Sequence, residues 1–314
     1  MLQVLTGFAV VVLVIGVGYA LGRWEVLGPG AHRPLGLFVF YVATPALLFD
    51  KLTTTPPSEV FGPGFAVIVA SSLTVGVLGY AMDRLMFRRD RSHSIIGALA
   101  CSYSNGGNLG IPLAVYVLDQ PAAVVPVILF QVAGYAPAAL TLMDFVRGSA
   151  AGGGASGWAR LRRVACTPLR NVMFLASMAG LVFSGVHLPV PAVVGEPVGI
   201  LAGASVPLAL VAFGMSLART RVLQRGEVAR REVAATAVLK NLAHPLIAGA
   251  MAFAWFHMTG HQLATAMVLG ALPTAQNVYT YALRYRINES LARDAGVVTT
   301  AMSFPVLVLI STLF

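Results

Sequence analysis

Apolar residues run through this chain in long blocks, separated by short stretches where arginine and glycine collect. A bilayer core about 30 Å thick is crossed by roughly 20 residues of helix. Measured with that ruler, the pattern predicts ten spans, at Leu2–Leu21, Arg33–Lys51, Phe61–Met82, Ser94–Leu118, Ala122–Met143, Leu169–Val186, Val198–Leu217, Val233–Met258, Gln262–Leu283 and Ala295–Phe314. The seventh and ninth are the least apolar. The first carries no cation before Arg23, so it lacks the basic start of a signal peptide and reads as a retained span.

Composition agrees with the pattern. Of 314 residues, 57% are apolar and 11% charged, against about 25% charged in a soluble domain. So few charges cannot coat a soluble globule, which excludes a soluble enzyme and a disordered chain alike. Cys101 and Cys166 stand far apart and offer neither a disulfide framework nor a metal set. No GxSxG, HExxH or P-loop pattern occurs. The chain therefore reads as a non-enzyme with no catalytic residue, cofactor or metal.

The net charge of +9 is explained by where the cations lie rather than by nucleic acid. Of 21 Lys and Arg, all but Lys51 and Lys240 fall in the odd-numbered loops, at Arg23 and Arg33; Arg84, Arg88, Arg89 and Arg91; Arg147, Arg160, Arg162, Arg163 and Arg170; Arg219, Arg221, Arg225, Arg230 and Arg231; and Arg284, Arg286 and Arg293. The positive-inside rule then places these loops in the cytoplasm and both termini outside the cell membrane.

The longest loop divides the chain into residues 1–146, a Gly-rich basic linker at 147–168, and residues 169–314. Five spans in each half make a duplicated half enter the membrane inverted. Pro45 and Pro207 are 162 apart and Pro112 and Pro273 are 161 apart, as an inverted repeat requires. The fold expected is an all-α polytopic membrane protein of ten transmembrane helices in two inverted five-helix repeats. No small-xxx-small face stands out.

Two spans conflict with a continuous helix. The fourth reads CSYSNGGNLGIPLAVYVL, and Ser104, Asn105, Gly106, Gly107, Asn108 and Pro112 all weigh against an apolar rod. The ninth carries Pro273, Thr274, Gln276 and Asn277. Kinked but continuous helices with interhelical hydrogen bonds are one reading. The other is a break in each, with the freed backbone near Gly106 and Gly107 facing a polar cavity. A broken helix bares an N-terminus that holds an anion without any formal cation. Neither segment contains Asp or Glu, which favours an anionic substrate over sodium.

Lys240 is the one cation deep in a span, 9 residues past Arg231, or about 14 Å. It either faces the cavity and attracts the anion, or snorkels or rests against a carbonyl. His244, one turn on, is a candidate proton carrier or a buried structural donor. Asp144 with Arg147, and Asp294 with Arg293, read as interfacial pairs, and Tyr279, Tyr281 and Tyr285 as interhelical aromatics. His257 and His261 have no third ligand near them.

Six motifs, YVATPALLF, SNGGNLGIP, SVPLALVAFGMSLA, LKNLAHPLI, ALPTAQNVYTYA and VVTTAMSFPVL, occur in order across both halves. Together they resemble the auxin efflux carrier family, in its bacterial members. The resemblance implies broken fourth and ninth helices crossing at the midplane, and a homodimer. It also implies a scaffold of spans 1, 2, 6 and 7 and a transport domain of spans 3–5 and 8–10. The activity implied is elevator-like carriage of organic anions such as malonate or malate. Asn105, Pro112, Pro273, Asn277 and Lys240 match the family's positions. Gly106 and Gly107 stand where the plant pattern has a proline, and the long central loop is missing, which points away from auxin. The expected function is a secondary transporter of a small carboxylate in the inner membrane, with H+ or Na+ as coupling ion. A sodium symporter of the bile-acid type and a non-transporting receptor are the alternatives.

Overall fold

The computed structural model describes residues 2–151, 168–218 and 230–313. Most of the predicted linker, with Arg160, Arg162, Arg163 and Cys166, and the loop arginines Arg219, Arg221 and Arg225 lie outside the described residues.

Its principal helices are α1 (Leu2–Arg23), α2 (His32–Leu52), α3 (Pro63–Leu85), α4 (Arg91–Ser102), α5 (Ile111–Tyr116), α6 (Pro121–Arg147), α7 (Val172–Gly185), α8 (Ala192–Leu217), α9 (Arg230–Phe256), α10 (Gly260–Ala271), α11 (Gln276–Tyr285) and α12 (Glu289–Leu313). Among the described residues, seven helices are long and apolar enough to cross a membrane; they are α1, α2, α3, α6, α8, α9 and α12, α3 being counted from Pro57. The predicted fourth span is divided between α4 and α5, and the ninth between α10 and α11.

Four helices share an irregularity that the sequence did not announce. Widened π turns at Val39–Ala43, Gly106–Gly110, Gln131–Tyr135 and Leu239–Ala243 each end two residues before a proline, at Pro45, Pro112, Pro137 and Pro245. Proline has no N–H to give, and its ring collides with the carbonyl four residues back. Widening the preceding turn moves that carbonyl aside, so the helix continues past the proline. Pro112 therefore lies inside the resumed helix, whereas Pro273 lies in the break itself. The two prolines with matching offset occupy different local structures.

The chain forms two compact units. The first comprises residues 1–65, 106–128 and 171–221. Its tightest seam joins α1 to α8 through glycine. A Cβ on Gly18 would overlap the Val211 carbonyl, one on Gly22 would stand 2.7 Å from Met215 Cα, and one on Gly214 would overlap the Ile15 carbonyl. Gly18 and Gly22 are a small-xxx-small pair after all, used within the chain so that two backbones can touch. In the same unit Thr44 and Ser205 share a hydrogen bond of 3.0 Å across 161 residues of sequence.

The second unit comprises residues 66–105, 129–170 and 222–314. Its core packs Ile95, Ile96, Leu99 and Tyr103 on Ala136, Ala139 and Met143, with Val278, Ala282 and Tyr285 of α11 and Ala292 and Ala295 of α12. Tyr285 anchors the end of α11: its hydroxyl donates to Asp144 Oδ1 at 2.7 Å, and its carbonyl accepts from Arg147 Nη1. Asp144 and Arg147 thus meet on Tyr285. Arg293 Nε donates to Asp294 Oδ1 at 2.9 Å.

Candidate functional site

The two interruptions meet in the second unit. α4 begins on Asp90, whose Oδ1 accepts the His93 N–H at 2.9 Å, and ends at Ser102. Burial pushes the Asp90 carboxyl up, but the hydrogen bonds from His93 outweigh it and hold the group below its usual value. Beyond Ser102 the chain turns extended, with Tyr103 at φ −83° and ψ 111°. α10 ends in the same way, with Leu272 at φ −54° and ψ 139°. The two extended segments pair antiparallel, Ser104 opposite Thr274. Asn105 N–H donates to the Pro273 carbonyl at 2.8 Å, and Ala275 N–H to the Tyr103 carbonyl at 3.0 Å. Breaking a helix orphans donors and acceptors that lipid cannot satisfy; here each break supplies the partners of the other. The break of the fourth span thus falls at Tyr103–Asn105, one step before the glycines. Gly106 and Gly107 open the next helical segment and do not form the gap itself.

Side chains complete the arrangement. Thr274 Oγ1 donates to the Ala100 carbonyl at 2.6 Å, while its N–H donates to Thr299 Oγ1 at 3.0 Å. Asn241 Nδ2 reaches the Ala271 carbonyl at 3.4 Å. Lys240 is fully buried, with Nζ 2.8 Å from Ser104 Oγ, 2.9 Å from His244 Nδ1 and 3.3 Å from the Gly270 carbonyl. An ammonium has three donors, and these partners engage all three. Lys240 thus joins the Gly270 carbonyl at the end of α10 to the Ser104 hydroxyl beyond α4.

α11 starts just past the crossing. Its N-cap residue, Ala275, offers no side-chain cap, and Gln276 and Asn277 in its first turn are exposed. Behind them Tyr103 stacks on Tyr135 at 6.0 Å and meets Tyr281 edge-on at 6.1 Å; Ser102 Oγ and the Tyr135 hydroxyl lie 2.5 Å apart. Gly76 admits that hydroxyl, because a Cβ there would overlap it. The second unit therefore gathers Ser104, Asn105, Lys240, His244, Pro273, Thr274, Gln276 and Asn277.

The remaining candidates belong to the first unit. Gly106 is buried, and a Cβ on it would stand 3.1 Å from Ile128 Cγ1; Gly107 and Asn108 are half-buried, and Pro112 is buried at the start of α5.

Sequence reasoning missed Tyr103, Tyr135 and Gln131, the last buried at 4% exposure with Nε2 unsatisfied. It also missed Glu232 and Thr236, which extend Lys240 and His244 into a file along α9. Glu232, Thr236, Lys240 and His244 recur every fourth residue, and none is more than 2% exposed. That four-residue spacing was the available signal.

The sequence profile of a family described as "Membrane transport protein" matches residues 3–152 and 157–311. A protein of Rhizobium meliloti (strain 1021), described as "Putative malonate transporter", is 29% identical over 278 residues, covering 86% of this chain and 82% of its own.

Proposed function

The chain belongs to this membrane transport protein family, that of the auxin efflux carriers, and from that premise we propose that it is a secondary transporter of a small carboxylate of the malonate type. The observation that carries the reading is the uncapped start of α11 beside the crossed breaks. Its N-cap residue, Ala275, gives no side-chain hydrogen bond to the first turn, where Gln276 and Asn277 are exposed. A helix N-terminus attracts an anion without burying a formal charge. A neutral site of that kind suits a substrate that must leave as readily as it binds. The name of the Rhizobium relative supports malonate as the first substrate to test.

In this reading Ser104, Asn105, Gln276 and Asn277 fix the carboxylate, and Lys240 holds the geometry and supplies positive potential. The second compact unit, with most of spans 3, 5, 8, 9 and 10 and the first half of span 4, is the moving part. Spans 1, 2, 6 and 7 are the scaffold of an elevator cycle and of a homodimer. The loop arginines support an orientation with both termini outside, and the inner membrane is the location that goes with this reading. H+ or Na+ is the coupling ion.

The test is uptake of labelled malonate by proteoliposomes carrying the purified protein. Asn105→Ala and Lys240→Ala should abolish uptake while the protein still purifies as a single species. Unchanged uptake in both variants would remove the site, and absence of uptake by the unaltered protein would remove the substrate.

A further inference from the structure

α3 ends in a carboxylate that the reading above leaves unused. Asp83 is 0% exposed, and neither of its oxygens has a hydrogen-bond partner among the described residues. Its seat is cut into α4: a Cβ added at Gly97 would overlap Asp83 Oδ2. Glycine costs a helix about 1 kcal/mol relative to alanine, and here it makes room for a carboxyl group and little more.

The charges that act on Asp83 are Glu232 of α9 and Arg89 of the segment after α3, and the titratable group facing it from α4 is Cys101. Glu232 is also 0% exposed, but its needs are met. Arg89 Nη2 donates to Oε2 at 2.7 Å, and Nε lies 3.3 Å from both oxygens. That hydrogen bond is the main reason the Arg89 guanidinium is held above its usual value. One cation thus serves two buried acids and is engaged by one of them.

With both acids ionised the cluster carries a net negative charge on oxygens that nothing solvates, which a low-dielectric interior does not tolerate. A single proton restores neutrality, and the unmatched oxygens of Asp83 are where it belongs. A metal ion would need a shell of oxygen ligands, and among the described residues no group of three or more His, Cys, Asp or Glu gathers to hold one.

We propose that Asp83 is a proton-binding carboxyl that takes up one proton and releases it in each cycle, coupling proton movement to that of the anion. The inference rests on the transporter reading above. A proton from water adds to one Asp83 oxygen, converting carboxylate to carboxylic acid, and returns to water in the opposite state of the cycle. Arg89, with a side chain 38% exposed, is where the cluster meets its surroundings. The α9 file then links the site to the crossed breaks. Thr236 is buried next to Cys101, and Cys101 feels the charges of both Asp83 and Lys240.

Infrared pH-jump spectra of the purified full chain should show a carboxylic-acid carbonyl band that D83N removes and that E232Q moves to lower pH, since Arg89 then balances Asp83 without a proton. No such band in the unaltered protein, or its persistence in D83N, overturns the proposal. In proteoliposomes, D83N should still exchange labelled malonate at equal pH but accumulate it under a pH gradient no better than without one. G97A, which intrudes on the cradle, should shift the band and blunt the same gradient response. Gradient-driven accumulation by D83N equal to that of the unaltered protein overturns the coupling. Absence of malonate exchange in both proteins would refute the substrate of the preceding section, and the infrared result would still decide Asp83.

Discussion

Lys240 Nζ stands 2.8 Å from Ser104 Oγ, tying α9 to the extended segment that interrupts the fourth span. The same ammonium holds the Gly270 carbonyl at the end of α10. One side chain therefore fastens both breaks, and its loss is structural before it is electrostatic.

Lys240→Met removes all three contacts but keeps the apolar stem. Leaving buried partners unsatisfied costs about 1–3 kcal/mol each, so a clear fall in thermal midpoint in detergent should accompany loss of uptake. Ser104→Ala should lower the midpoint less, because only one contact goes. If Lys240→Met melted like the unaltered protein, Lys240 would not be the fastener.

Ala275→Pro deletes one N–H of the paired breaks. Ala275 has φ −73°, which suits proline, but the ring Cδ takes the place of the N–H aimed at the Tyr103 carbonyl at 3.0 Å, so that carbonyl loses its donor and must move aside. The change should cost about 1–3 kcal/mol and reduce uptake. Uptake at the original level would mean that the pairing of the breaks is not needed for transport.

Glycine packing between α1 and α8 can be tested by position. Gly214→Ala forces a methyl group into the Ile15 backbone and should destabilise by about 1–3 kcal/mol. Gly16 has nothing within 4 Å of an added Cβ, so Gly16→Ala should be neutral or stabilising by under about 1 kcal/mol. Equal melting of the two variants would contradict the seam.

Arg89→Ala strands Glu232 as a buried charge. Uncompensated buried ions cost about 3–5 kcal/mol, and the partial exposure of Arg89 reduces this to roughly 2 kcal/mol. Adding Glu232→Gln to Arg89→Ala should restore much of the loss, which denaturation of the single and double variants would measure. A double variant no more stable than Arg89→Ala alone would refute the pairing.

Part of this was legible from the chain itself. Ser104, Asn105, Pro273 and Thr274 were conspicuous because each is costly in an apolar helix, and the structure places all four at the breaks. Asp83 and Glu232 were not conspicuous, because carboxylates among loop arginines read as ordinary surface charge. Only the packing of α3, α4 and α9 withdraws them from water. The π turns were hidden for a related reason: proline marks where a helix is troubled but not how it recovers.

The sequence by itself determined that the chain is apolar, helical and interrupted in two places, because transfer of side chains and backbone into lipid is a local cost that each segment meets alone. Which donor answers which orphaned carbonyl was decided by the tertiary structure. Thr274 finds Ala100, Lys240 finds Gly270 and Asp83 finds only Gly97 because those pairs are brought together by packing between helices far apart in sequence. Hydrogen bonding is a matter of a few ångströms, and no pattern along the chain encodes that proximity.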